Sequence, residues 1–216
     1  GDGMQLTGDR FTSASALFGN DLSTFPDYPA EIRAPAGTVN GVSSFQVHIS
    51  DHDITTPGDA PNVLVAMNPA ALKADLHRLE QNGLLIVNSD AFETRDLEKA
   101  GYDHNPLHDD FLSSYRLVEI PMTSLTQKAT ELLGVKARDS ERSKNFFALG
   151  VISWLYSRPT EPTVEWIEAR FKDLVKASNL AAFKAGYNFG ETSELFDHPY
   201  QVKPAQLPAG EYTNIT

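Results

Sequence analysis

Val63-Leu64-Val65-Ala66-Met67-Asn68-Pro69 and Gly83-Leu84-Leu85-Ile86-Val87-Asn88 each hold an uninterrupted apolar run closed by an asparagine. Runs without polar alternation are the pattern of parallel strands covered on both faces. Between them Asn68 can cap a helix and Pro69 suits its first turn. Leu72, Leu76 and Leu79 recur at helical spacing, and Asn82-Gly83 closes that helix. Strand, helix and strand in this order make a βαβ unit, whose crossover is almost always right-handed.

Outward from this unit the alternation of strands and helices continues. Leu117–Ile120 reads as a further strand, stopped by Pro121. Asp90–Tyr115 is a polar, irregular excursion before it. Leu125, Ala129, Leu132 and Leu133 form a helix face ending at Gly134. Ser140–Tyr156 is apolar on several sides, the mark of a buried helix. Thr163 is placed to cap the next helix, with Val164, Ile167, Phe171, Leu174 and Val175 on its face, and a shorter helical stretch surrounds Leu180 and Phe183. On the amino-terminal side, Phe45, Val47 and Ile49 alternate as a strand with one wetter face. Phe25–Gly41, rich in proline and glycine, reads as a long ordered loop with short extended pieces. Gly1–Gly8 reads as a glycine-rich loop opening a helix that carries Phe11, Ala14, Leu17 and Phe18. Such a turn normally follows a strand, so the expectation is that the natural chain begins upstream. The fold class expected is α/β: a three-layer α/β/α arrangement with a mostly parallel (mixed) sheet, Rossmann-like. Residues 1–197 form one domain, and the proline-containing stretch 198–216 is a linker or tail.

Composition narrows the function. The 216 residues carry a net charge of -11, so no basic footprint for nucleic acid or for an anionic membrane surface is present. No cysteine occurs, which excludes disulfides, thiolate zinc sites, a thiol nucleophile and an iron–sulfur cluster held by this chain. That absence fits a cytoplasmic protein. No terminal apolar run approaches bilayer-spanning length, and no signal peptide is read.

In parallel α/β sheets ligands bind beyond the carboxyl ends of the strands. Those ends carry Asn68, then Asn88-Ser89-Asp90, then Pro121-Met122-Thr123-Ser124. The segment Gly1-Asp2-Gly3-Met4-Gln5-Leu6-Thr7-Gly8 would join them, because glycines allow a close backbone approach to a ligand or to another helix. It is neither a dinucleotide fingerprint nor a Walker loop. Arg33, set among prolines and glycines, can clamp a carboxylate, a phosphate or a facing subunit. The candidate binding set is therefore Gly1, Asp2, Gly3, Met4, Gln5, Gly8, Arg33, Asn68, Asn88 and Ser89, each also readable as a helix cap or a packing residue. Asp51-His52-Asp53 and His108-Asp109-Asp110 lack metal-ligand spacing and read as solvated turns, and His48 as a residue of the wetter strand face. No Gly-x-Ser-x-Gly element is present. No catalytic and no metal-binding residue is assigned.

Gly1–Gln5, Tyr28-Pro29-Ala30-Glu31-Ile32-Arg33, Val63–Asn68, Gly83–Asn88, Tyr102, Asn105-Pro106-Leu107 and Arg142–Gly150 occur in that order. Together they resemble the gamma domain of 2-oxoacid:ferredoxin oxidoreductases, and more narrowly the version fused to the front of the alpha subunit of 2-oxoglutarate synthase. Met4 and Leu6 stand where stand-alone gamma subunits carry glycines, and Arg33-Ala34-Pro35 stands in place of Arg-Gly-Gly. Tyr212–Thr216 is similar to the entry into the thiamin-diphosphate-binding pyrimidine domain of the fused form. The resemblance implies an enzyme that converts a 2-oxoacid and coenzyme A into acyl-CoA, carbon dioxide and reduced ferredoxin. It places thiamin diphosphate, magnesium and iron–sulfur clusters on other domains and on a beta subunit, so that this chain holds no cofactor itself. This domain would supply assembly contacts and part of a coenzyme A path. Two rival readings stay open: a self-contained nucleotide-binding enzyme with a degenerate glycine loop, and a pure dimerisation scaffold.

Overall fold

The computed structural model describes residues 2–28, 42–197 and 199–206, and the side chain of Asp2 lies outside that description. Gly1, Arg33, most of the Tyr28–Arg33 segment and residues 207–216 therefore fall outside it too.

The elements are α1 (Asp2–Phe18), β1 (Asp21–Asp27), β2 (Ser44–Ser50), β3 (Val63–Ala66), α2 (Pro69–Asp75), β4 (Leu84–Asn88) and α3 (Thr94–Lys99). They are followed by β5 (Arg116–Ile120), α4 (Met122–Thr130), α5 (Ala137–Ser140), α6 (Lys144–Leu155), α7 (Glu161–Arg170) and α8 (Asp173–Thr192). Strands β3, β4 and β5 lie side by side in that order, and all are parallel. The α/β class with a parallel sheet is thus as expected. Strands β1 and β2 pair antiparallel in a sheet of their own.

Every residue of β4 is buried. Its side chains alternate between two cores, because successive residues of a strand point to opposite faces. Leu84 and Ile86 join Val118, Ile120, Phe146, Phe147, Leu149 and Phe183. Leu85 and Val87 join Leu72, Leu76, Leu79, Leu97 and Leu112. The sheet therefore has α6 and α8 on one side and α2 and α3 on the other, a three-layer arrangement.

Several expectations change in detail. Gly1–Gly8 is not a loop: α1 begins at Asp2. A Cβ on Gly8 would enter the Phe45 ring, and one on Gly3 would enter the Asn145 amide, so both glycines are helical residues placed for close packing. Phe25–Asp27 is an extended piece of the stretch expected as a loop and forms the end of β1. Pro26 is tolerated there because, among the described residues, β1 pairs with β2 alone. Leu132 is 99% exposed in a short 3₁₀ turn, not on a core face, while Gly134 closes that turn at φ 66° as expected. The helix expected over Ser140–Tyr156 is broken by a 3₁₀ turn at Glu141–Ser143. Thr163 lies buried inside α7 rather than capping it, and the chain breaks at Phe171. Leu174 and Val175 are consequently exposed in the first turn of α8, which at 20 residues is the longest helix described.

Helix α8 packs closely on α6. A Cβ on Gly186 would sit 2.8 Å from the carbonyl carbon of Phe147, and one on Gly150 would sit 2.6 Å from the amide nitrogen of Tyr187. The two backbones touch, so neither glycine tolerates a side chain.

Residues 199–206 run along the far end of the body. The Tyr200 amide donates to Leu155 O at 2.6 Å, and the Ala205 amide donates to Gly19 O at 2.8 Å. Arg158 is buried, with no acidic partner among the described residues. Its guanidinium donates to Val202 O (3.1 Å), Tyr156 O (2.8 Å) and the Asn20 side chain, and lies over the Phe18 ring. Burial lowers its pKa from the usual arginine value. Tyr156 stacks on Tyr200, with ring centroids 5.1 Å apart. Burial pushes the Tyr156 hydroxyl well above the ordinary tyrosine range, and Tyr200 and Glu80 push in the same direction.

Two outcomes follow from this packing. Gly186→Ala should destabilise the fold by about 1–3 kcal/mol through overpacking, and Phe147→Ala by about 3–5 kcal/mol through a cavity, both read by denaturant unfolding. Tyr156 is neutral in the fold at pH values where an unfolded tyrosine ionises. Its contribution is complete below about pH 10 and falls as pH rises further. Tyr156→Phe should flatten the alkaline limb of a stability–pH profile.

Candidate functional site

A groove of about 1630 Å³ runs between the two sheets. Its walls are α1, β2, β3 and the first half of α6, through residues that include Met4, Gly8, Val47, Val65, Asn68 and Asn145. At the carboxyl end of β3 its mouth is polar: Asn68, Asp90, Thr123, Lys144 and Asn145 line it. At the opposite end it closes on Asn62, Tyr156 and Tyr200.

The carboxyl edge of the sheet is built by hydrogen bonds that begin at Asn88. This side chain is fully buried. Its Oδ1 accepts from the Met122 amide at 3.0 Å, and its Nδ2 donates to Thr123 Oγ1 at 3.2 Å. Pro121 occupies the N-cap position of α4 and makes no side-chain cap hydrogen bond. Asn88 supplies the missing acceptor from the neighbouring strand. Asp90 supplies a second: its carboxylate accepts from the Ser124 amide at 2.7 Å and from Ser124 Oγ at 3.1 Å. Two of the N–H groups in the first turn of α4, Met122 and Ser124, which an external anion could otherwise bind, are thus already met by the protein's own oxygens.

The residues singled out in the sequence have separate fates. Asn68 caps α2, its Oδ1 accepting from the Ala71 amide at 2.9 Å, and its exposed amide still faces the groove. Asn88 is structural. Ser89 is half-buried in a short 3₁₀ turn. Met4 and Gly8 line the groove from α1. Gln5 ties α1 to β2: its Nε2 donates to Asp27 O (3.0 Å), Ser43 Oγ (2.8 Å) and Ser44 O (3.0 Å), while its buried Oε1 has no partner among the described residues. The groove therefore brings together Met4, Gly8 and Asn68, with Gly3 adjoining through Asn145. It does not bring in Asn88. Gly1 and Arg33 lie outside the described residues.

Asp90 and Thr123 belong to the strand-end segments expected to line a ligand crevice, and the structure places both at the groove, whereas Lys144 and Asn145 were not expected there. Lys144 and Asn145 meet the sheet only because α6 folds back across it, and no local signal marks that. Lys144 pairs with Glu141 at 2.7 Å and opens the first turn of α6. An ammonium, two amides, a hydroxyl and the Asp90 carboxylate around an open mouth suit a polar group. His48 also reaches the groove wall, where its Nδ1 pairs with Thr56 O at 2.8 Å. Among the described residues no three His, Asp or Glu side chains converge to hold a metal ion.

Over residues 1–189 the chain matches the family described as pyruvate ferredoxin/flavodoxin oxidoreductase. It is 56% identical to the 2-oxoglutarate oxidoreductase subunit KorA of Mycobacterium tuberculosis, across 100% of this chain and 33% of that protein. The chain thus spans about a third of the length of this curated relative. The 2-oxoglutarate:ferredoxin oxidoreductase of Magnetococcus marinus, solved with 2-oxoglutarate, coenzyme A and succinyl-CoA bound, superposes with a TM-score of 0.69 at 24% identity. That match covers 93% of this chain and 31% of the other. The gamma subunit of a keto/oxoacid ferredoxin oxidoreductase from Geobacter sulfurreducens superposes with a TM-score of 0.54 at 19% identity, over 87% of this chain and 91% of that one. At these identities the two structures show a shared fold.

The role of Asn88 can be measured directly. Asn88→Ala leaves the Met122 amide buried without an acceptor and should destabilise the fold by about 1–3 kcal/mol in urea unfolding. Asp90→Asn, which keeps an acceptor at an exposed position, should have a smaller effect.

Proposed function

We propose that this chain, which belongs to the pyruvate ferredoxin/flavodoxin oxidoreductase family, is a non-catalytic domain of a 2-oxoglutarate:ferredoxin oxidoreductase. The observation that carries this reading is the 56% identity to KorA along the full chain. The enzyme would convert 2-oxoglutarate and coenzyme A into succinyl-CoA and carbon dioxide and pass the electrons to ferredoxin.

The residues present do not fit the metal groups such an enzyme needs. The chain has no cysteine for a cluster, and its described residues gather no carboxylate or imidazole set for a metal. Thiamin diphosphate, magnesium and the clusters would accordingly be held by a pyrimidine-binding domain of the same polypeptide and by a beta subunit. Residues 1–197 would act as the gamma-type domain, with 198–216 leading toward that partner domain. No helix among the described residues is long and apolar enough to cross a membrane, which accords with work in the cytoplasm.

Within the complex the polar mouth at Asn68, Thr123, Lys144 and Asn145 would form part of the coenzyme A path. The ammonium of Lys144 and the amides beside it are suited to phosphate and amide groups. In the assembled enzyme, Lys144→Ala should raise KM for coenzyme A by about threefold or more while leaving KM for 2-oxoglutarate unchanged. No change in either constant would leave the domain an assembly scaffold only. Oxoacid-dependent electron transfer by residues 1–216 without any partner would favour a self-contained enzyme instead.

A further inference from the structure

Arg10, in the middle of α1, is buried with its hydrogen-bonding capacity unmet. Only 9% of the residue is exposed. Its Nε–H is sealed from solvent and has no acceptor among the described residues. Its terminal nitrogens make no hydrogen bond or ion pair with them either, and they carry the exposure that remains. Burial lowers the pKa of the guanidinium, and the adjacent Asp9 opposes that shift without pairing with it. Arg158 shows what a buried arginine obtains when the fold provides for it: two carbonyls and the Asn20 oxygen. A buried charge is tolerated when it is paired and hydrogen-bonded, and is costly otherwise.

What the fold does supply is a platform. The guanidinium carbon lies over the Trp166 ring of α7, 5.5 Å from its centroid. That ring is held by Phe171 edge-on at 5.7 Å and by Phe146 at 6.5 Å. The aromatic face favours a cation but offers no oxygen to its N–H groups. A planar fork fixed in this way is arranged to receive a carboxylate. Leu6, Arg10, Ser13 and Leu17 follow one another on one stripe of α1, and Leu17 is 70% exposed. Arg10 lines neither the groove nor the smaller hollow around Tyr102, so neither cavity leads a small anion to it. An orphaned arginine beside an exposed leucine is the composition of a protein contact, where arginine is enriched.

We propose that Arg10, held flat on Trp166, anchors a contact with another domain or subunit of the same enzyme by taking a carboxylate from its surface, with Leu17 covered by the same partner. This rests on the reading of the chain as one domain of a larger oxidoreductase. The chain carries a net charge of -11, which repels a freely diffusing anion. A carboxylate fixed in a larger contact is brought to Arg10 by the rest of that contact.

The test uses the full-length polypeptide in its native complex. A carbodiimide joins an amine to a carboxylate in contact with it and leaves arginine untouched. Arg10→Lys should therefore produce a new amide link, located by peptide mass spectrometry, from position 10 to an Asp or Glu of a second domain or subunit. Links only to acids within residues 1–216, or no link, overturn the proposal. Arg10→Met keeps an apolar stem on Trp166 and removes the charge. It should lower the Tm of the complex by about 3 °C or more, and replacing the linked carboxylate with its amide in that background should add little further loss. An unchanged or raised Tm, or fully additive losses, overturns it. Inorganic phosphate that raises the Tm of the unmodified complex but not of Arg10→Met would give the position to a free anion and also overturn it. None of these readouts depends on turnover. A complex that carries the link but shows no 2-oxoglutarate-dependent electron transfer would refute the proposed function and leave this contact standing.

Discussion

The middle strand, β4, has no residue exposed to solvent, and the rest of the described fold takes its register from it. Its alternate side chains belong to two separate cores, so a slip of one residue would exchange them. Leu84 and Ile86 require the α6–α8 layer, and Leu85 and Val87 require α2 and α3. Asn88 then ends the strand by holding the first turn of α4. One five-residue segment thus specifies both layers and the polar edge between them.

Glycine acts in this protein through what it lets approach. Gly150 and Gly186 allow the backbones of α6 and α8 into contact, and Gly190 receives the Trp154 ring. Gly3 and Gly8 do the same for α1 against Asn145 and Phe45. Glycine weakens an isolated helix by about 1 kcal/mol relative to alanine. Here the packing that a missing Cβ allows outweighs that preference. This is why a segment that reads as a flexible ligand loop is a packed helix.

The polar edge shows the same competition between ligand and fold. Amides at a helix start can bind an anion, but at α4 they are satisfied by Asn88 and Asp90. The other polar groups at the groove mouth come from α6 and from the cap of α2. Their convergence depends on long-range folding, with Lys144 separated from Asn68 by the whole of β4, β5 and α4.

The amino-acid sequence by itself determined the βαβ unit, the parallel sheet, the buried helix around Phe147, the absence of cluster ligands and the family resemblance. Each of these rests on local periodicity, composition or motif order. Tertiary structure alone decided that Gly3 and Gly8 are helical, that Thr163 lies inside a helix, that Asn88 is a cap rather than a contact, and that Lys144 and Asn145 stand at the groove. Those outcomes turn on which neighbour, distant in the chain, reaches a given atom first. A buried N–H or a bare Cα is claimed by the nearest partner the fold provides, and no local pattern encodes that distance.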